Sequence, residues 1–320
     1  MSVLVFAESS EGKFKKVALE VTSYGKKLAD QLQTNLVVVT AFVDDISPLS
    51  KYGAEKILNG KSDGLKTSDA SIWADFIVAA AKQEEATAVI IDSSANGAFV
   101  GPLVAAKLQA GFASNVVALP NSTSPFVVKR KAFSNKAFNN TEIKTNVKVL
   151  GIAKNSFGLF ENPTQGTSVD FSPSLNAGKI KRTAIEQATG TVTIADADII
   201  VSAGRGLKSG DNWGMIEELA EVLGAATACS KPVSDLGWRP HSEHVGQTGK
   251  QAASNLYFAI GISGAIQHLA GVNSSKVKVV INTDAEAPFF KSAEYGIIGD
   301  AFEIVPKLVD KLKVFKAENG

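Results

Sequence analysis

Ile199-Ile200-Val201-Ser202-Ala203-Gly204-Arg205-Gly206-Leu207-Lys208-Ser209-Gly210 is an apolar run that breaks into a glycine-rich turn. A helical stripe follows, with Trp213, Ile216, Leu219, Ala220 and Leu223 on one side and Gly224 at its end. A strand too apolar for one wet face, then a turn, then an amphipathic helix, is the repeating unit of a doubly wound parallel sheet. The same rhythm continues, with strands predicted at 197–202, 256–260, 277–281 and 302–305 and helices at 212–223, 264–270 and 306–317. Residues 191–320 are therefore expected to form one doubly wound α/β domain.

Upstream, β-branched runs at 2–7, 35–43, 88–92 and 115–119 alternate with helical stretches at 16–33, 69–85 and 98–110. That order predicts βαβ units and a second parallel sheet, so the fold class is α/β with two α/β domains. Ser68 is the expected cap of the 69–85 helix, whose apolar stripe is Ile72, Phe76, Ala79 and Ala80. Residues 126–133 and 143–150 alternate in polarity and are expected to be antiparallel edge strands. From Lys129 to Lys148 there are six basic residues against one acid, Glu142, which fits either a lysine-protected edge or a docking surface for an acidic partner. Residues 154–180, rich in Asn, Ser, Pro and Gly, read as an excursion or linker. The domain boundary is placed near 190, giving an N-terminal domain of 1–190.

A length of 320 residues suits two ordinary domains, and 45% apolar with 20% charged residues suits globular cores. Lys+Arg 33 against Asp+Glu 32 gives no reason to expect nucleic acid or an anionic membrane surface as partner. Cys229 is the only cysteine and there are three histidines, so neither a disulfide framework nor a zinc site is expected. The start lacks a basic leader and no apolar run approaches the roughly 20 residues of a membrane span, so the expectation is a cytoplasmic protein that is not membrane-embedded.

Four strand ends of the second domain carry chemistry. The turn 204–210 can offer backbone N–H groups and the charges of Arg205 and Lys208 to a phosphate, although its glycine spacing matches neither well-known phosphate fingerprint and a tight structural turn explains it as well. Val245-Gly246-Gln247-Thr248-Gly249-Lys250 can present N–H, amide and hydroxyl groups to a flat heteroaromatic, or can be a capped turn. Gly261-Ile262-Ser263-Gly264-Ala265-Ile266-Gln267-His268 combines small residues, where a ligand approaches backbone, with a histidine that could equally be structural. Asn282 and Asp300 stand at later strand ends, where short polar side chains suit ribose hydroxyls or ordinary caps. Together the four segments point to a dinucleotide.

The strings SAGRGLKSGDNW, VGQTGK, GISGAIQHLAG, INTDAEAPFF and YGIIGD, in this order and spacing, resemble the FAD-binding domain of the electron transfer flavoprotein alpha subunit. Over the first 190 residues the likeness rests on the VLVFAE start and the strand-helix order. The resemblance implies a heterodimer. In it the beta subunit, often carrying AMP, covers one FAD held by the alpha subunit, and electrons pass from acyl-CoA and related dehydrogenases to a membrane quinone oxidoreductase. It implies FAD contacts at Arg205, Ser230, Lys231, Val245, Gly246, Gln247, Thr248, Ser263, Gly264, Ala265, Ile266, Gln267, His268, Asn282, Asp300 and Ala301. Thr248 would serve the redox-active ring nitrogen, and His268 the pyrimidine carbonyl as a charged imidazolium. Lys231 stands where the family commonly has arginine, and a compact ammonium cannot lie against a ring as a guanidinium does. The segment Asn96-Gly97-Ala98-Phe99-Val100-Gly101-Pro102 also departs from the acid- and arginine-bearing loop expected there.

The chain is thus expected to be an electron carrier rather than an enzyme, with the cofactor supplying the chemistry. The rival readings are a nicotinamide-dependent oxidoreductase and a non-redox, nucleotide-binding structural subunit. The glycine spacing counts against the first, and the polar 245–250 segment against the second.

Overall fold

A computed structural model describes the chain apart from residues 67–68, 134, 177–179, 181–182, 185–191 and 320. It divides into two compact units, residues 1–133 with 137–186, and residues 134–136 with 187–320. The boundary expected near 190 lies outside the described residues, as does Ser68. Among the described residues no helix is long and apolar enough to cross a membrane.

The first unit runs β1 (Ser2–Phe6), the short hairpin β2 (Ser9–Ser10) and β3 (Lys13–Phe14), α1 (Lys16–Gln31), β4 (Asn35–Ala41), α2 (Ser47–Lys51) and β5 (Lys56–Gly60). It continues α3 (Ala70–Gln83), β6 (Ala86–Asp92), α4 (Ala95–Leu108), β7 (Gly111–Val116), β8 (Ser122–Thr123), β9 (Phe126–Ala132), β10 (Ala137–Glu142), β11 (Lys148–Ile152) and β12 (Thr167–Asp170). The main sheet has the order β10-β9-β7-β11-β6-β1-β4-β5-β12, parallel except where β9 pairs antiparallel with β7, β8 and β10. Val3, Leu4 and Val5 on β1 are wholly buried on both faces, as strands sandwiched between helix layers must be. Asp69 caps α3, its side chain accepting from the Ser71 N–H at 2.8 Å.

One edge expectation fails here. Residues 143–150 do not form an antiparallel edge strand: β11 begins at Lys148 and lies between β6 and β7, parallel to both. The alternation in 143–147 is interrupted by Thr145, whose hydroxyl donates to the Val147 carbonyl at 2.6 Å and accepts from the Gly111 N–H at 2.7 Å. A side chain that bonds its own neighbourhood competes with a strand ladder. The antiparallel partner of β9 is β10, whose exposed, Asn-rich sequence carries no hydrophobic period.

The second unit contains β13 (Ile199–Ala203), α5 (Gly214–Leu223), β14 (Ala226–Cys229), α6 (Lys231–Asp235), β15 (Leu256–Ile260), α7 (Ile266–Val272), β16 (Val277–Asn282), β17 (Tyr295–Ile298) and α8 (Ala301–Asn319). Its sheet is wholly parallel, in the order β14-β13-β15-β16-β17. One face is closed by Ile216, Leu219, Val305 and Val309 of α5 and α8, the other by Val245, Val272 and Phe289. The doubly wound α/β expectation holds, with one strand replaced. Residues 302–305 belong to α8, where Ala301, Val305 and Val309 bury a helical i, i+4, i+8 stripe, and β17 supplies the fifth strand.

Candidate functional site

In spatial order the five strands of the second unit are the second, first, third, fourth and fifth along the chain. The connections therefore reverse direction between β13 and β15, and α5 covers one face while α7 packs on the other. Such a switch point opens a crevice at the carboxyl ends of its two strands. The turns after β13 and β15 meet there through bare backbone: the Gly204 N–H donates to the Ile260 carbonyl at 2.9 Å, and the Gly206 N–H to the Gly261 carbonyl at 3.1 Å. A Cβ on Gly206 would lie 2.6 Å from the Gly261 Cα, so the glycines of the first motif are required by loop-to-loop contact. Between them Arg205 stands exposed, and no ion pair engages it among the described residues.

The second motif folds into a closed turn beside this crevice. Lys250 N–H donates to the His244 carbonyl at 2.7 Å, Gly249 N–H to the Gly246 carbonyl at 3.2 Å, and Gly246 N–H to the Lys250 carbonyl at 3.2 Å. Gln247 N–H donates to the Gln267 carbonyl at 2.8 Å, which ties this turn to α7. Val245 and Gly246 are buried, whereas the Gln247 and Thr248 side chains are exposed. His244, which the motif reading passed over, fills the inside of the turn: a Cβ on Gly249 would come within 2.7 Å of its Nδ1. Burial lowers its pKa, reinforced by His241 and Lys231 and opposed by Asp235. No sequence signal marked it, since its closeness to Gly246 and Gly249 exists only in the folded turn.

In the third motif Ser263, Ala265, Ile266 and Gln267 are exposed, Ile266 by 59%. Gly264 has φ +88°, and a Cβ there would sit 2.5 Å from the Phe289 nitrogen. His268 differs from its neighbours: it is only 6% exposed, and its Nε2 lies 3.0 Å from the Tyr257 hydroxyl oxygen. Burial, with a smaller contribution from His244, pulls its pKa down to about 4. The charged imidazolium expected from sequence is therefore replaced by a neutral ring.

Ser230 is buried at the end of β14, its N–H donating to the Ala203 carbonyl at 3.1 Å, and Lys231 is exposed, 3.3 Å from Asp235. Asn282 has both ends of its amide engaged, donating to the Ile262 carbonyl at 3.1 Å and accepting from the Asp284 N–H at 3.0 Å. Asp300 accepts from the Phe302 N–H at 3.0 Å at the start of α8, beside buried Ala301, and stands 3.7 Å from Lys208. Thus Arg205, Ser230, Lys231, Val245–Thr248 and Ser263–His268 gather at the ends of β13, β14 and β15, with Asn282, Asp300 and Ala301 at the ends of β16 and β17. Exposed cations, ring-edge donors and side-chain-free backbone around one switch point are what a dinucleotide requires.

Comparison with known proteins shows the family of both units. The electron transfer flavoprotein domain matches residues 3–193, and the electron transfer flavoprotein FAD-binding domain matches residues 193–273. The electron transfer flavoprotein subunit alpha of Bacillus subtilis (strain 168) is 36% identical over 97% of this chain and 97% of its own length. That of Syntrophomonas wolfei is 35% identical, covering 97% and 98%. A probable mitochondrial alpha subunit of Caenorhabditis elegans is 36% identical, covering 97% and 93%. Asn282, Asp300 and Ala301 fall beyond the matched FAD-binding segment. An open crevice of this make-up within a family-wide match over both units identifies the chain as a member of the electron transfer flavoprotein alpha subunit family, with FAD as its cofactor.

Proposed function

We propose that this chain is the FAD-holding half of a heterodimeric electron carrier, filled and covered by a beta subunit. It takes electrons from acyl-CoA and related dehydrogenases and delivers them to a membrane quinone oxidoreductase. The observation that carries this reading is the exposed shelf at the β13/β15 switch point, where polar and small residues face outward at the end of a buried sheet. No side chain in the crevice is needed as nucleophile or acid-base group toward an organic substrate, so the chain acts as a carrier. Its single cysteine fits a reducing compartment such as the cytoplasm.

Bound FAD supplies reversible electron uptake and release; the chain supplies binding, orientation and field. Arg205 would hold the pyrophosphate, helped by the backbone of the Gly204–Gly206 turn. Gln247 and Thr248 would meet the polar edge of the ring, and the backbone around Ser263–Ala265 would admit close approach because side chains there are small. Lys231 would place a positive charge near the ring. Asn282 acts by pinning the Ile262 carbonyl, and Asp300 by holding Lys208 and the start of α8.

Co-expression with the beta subunit, followed by flavin extraction and counting, tests the reading. Near one FAD per alpha chain in the pair, and less in the isolated chain, is the expected result. A colourless heterodimer would remove the carrier function, and full occupancy in a demonstrated monomer would remove the need for a covering subunit.

A further inference from the structure

The long connection from β14 to β15 carries the 244–250 turn, yet its α-helix, α6, ends at Asp235. Among the described residues the backbone of 239–243 bonds only locally: the Glu243 N–H donates to the Pro240 carbonyl at 3.0 Å, and the His244 N–H to the His241 carbonyl at 3.1 Å. Side chains hold this stretch in place. Arg239 Nε and Nη2 donate to the two carboxylate oxygens of Glu243 at 2.9 and 2.7 Å, and Nη1 donates to Glu217 of α5 at 2.7 Å. The guanidinium carbon lies 5.5 Å from the ring centre of Trp213, which is buried just before α5. Beside it Trp238 packs on Gly210, where a Cβ would come 3.2 Å from the tryptophan Cβ.

We propose that Arg239 is a positioning residue for the FAD site: it clasps the 244–250 turn to the start of α5, and so sets Gln247 and Thr248 relative to the 204–210 turn. This rests on the reading that both turns line the FAD site.

The clasp joins the two segments at their ends. Glu243 immediately precedes His244 and Val245, while Trp213 and Glu217 directly follow the 204–210 turn. Gln247 and Thr248 are exposed, so the backbone beneath them sets their aim. The Gln247 N–H bond to the Gln267 carbonyl ties the turn to α7 on one face of the sheet, and Arg239 ties its entry to α5 on the other. All three bonding nitrogens of Arg239 are engaged by carboxylates, so it acts on FAD through the turn and not by contact. A planar guanidinium can fork one carboxylate, reach a second and lie on an indole at once; a lysine ammonium cannot. An exposed ion pair would contribute little, but the Arg239 and Glu243 side chains are only 21% and 18% exposed and their fork is charge-assisted. Glu217, half exposed, is the weaker arm.

Titrating the apo heterodimer with FAD, and recording the visible circular dichroism of the bound flavin, tests the clasp. Arg239→Met keeps an apolar stem over Trp213 and removes the fork. It should weaken FAD binding about 5- to 30-fold, on the scale of one charge-assisted hydrogen bond, and alter the dichroism. Arg239→Lys should restore neither. Because Arg239 acts through the turn that bears Thr248, Arg239→Met with Thr248→Val should lose less affinity than the product of the two single losses. Wild-type affinity and dichroism in Arg239→Met, full restoration by Arg239→Lys, or single losses that simply multiply would each overturn the proposal. Should Arg239→Met not fold, Glu243→Gln carries the same expectation and the same cycle with Thr248→Val. Unchanged FAD binding in both Gln247→Ala and Thr248→Val would instead overturn the reading that this turn lines the site, whereas weakened binding in those two beside unchanged binding in Arg239→Met would overturn the clasp alone.

Discussion

His268 and Cys229 are both displaced from their ordinary acidities by burial, and each displacement can be measured. For His268 the folded value of about 4 lies below the unfolded value of 6.5. Between these the unfolded chain takes up a proton that the folded chain refuses, so the fold loses stability as pH falls from 6.5 toward 4. The loss is at most on the order of 3 kcal/mol. Urea unfolding at pH 7.5 and 4.5 should show a smaller pH dependence in His268→Asn than in the wild type, whatever the variant's fixed packing cost; equal slopes would mean the ring is not buried neutral. Burial, with Glu243 adding and Arg239 opposing, pushes the Cys229 thiol up to about 12. Since the thiolate is the reactive form, iodoacetamide should modify Cys229 in denatured protein and spare it in native protein, as read by mass spectrometry. Among the described residues Lys231 makes only an exposed pair with Asp235, so Lys231→Arg should keep FAD occupancy unchanged; loss of flavin would place Lys231 elsewhere than beside the ring.

At the scale of elements, strands with two buried faces were legible and strands with none were not. Leu256–Ile260 is apolar throughout and falls where the sequence predicts it. Tyr295–Ile298 is exposed along its length and interrupted by Gly296, so no strand was predicted there. Three apolar residues and Glu303 at 302–305 are too short a stretch for a readable period, and only the buried stripe continuing to Val309 shows a helix. Turns were legible through glycine, because the backbone contacts at Gly204, Gly206, Gly261 and Gly264 admit no side chain. Gly264→Ala should therefore cost about 2 kcal/mol or more, from positive φ and the clash with Phe289, seen as a lower urea midpoint. A midpoint within experimental error of the wild type would contradict that crowding.

For the whole molecule, the two-sheet α/β class followed from the alternation of apolar runs and amphipathic stripes, which records burial from both sides. The ligand-bearing turns could be found because their glycines and polar side chains interrupt that alternation at strand ends. His244 and Tyr257 could not, since a lone histidine beside a motif and a tyrosine inside an apolar strand look like ordinary core until the packing brings them against the turns. The central claim is that FAD lies at the β13/β15 switch point of the second unit. Irradiating the heterodimer loaded with a photoreactive azido-FAD and mapping the labelled peptides tests it most directly. Labels should fall in 204–209, 230–231, 245–250 and 261–268; labels confined to the first 180 residues of this chain, or absent from it, would contradict the account.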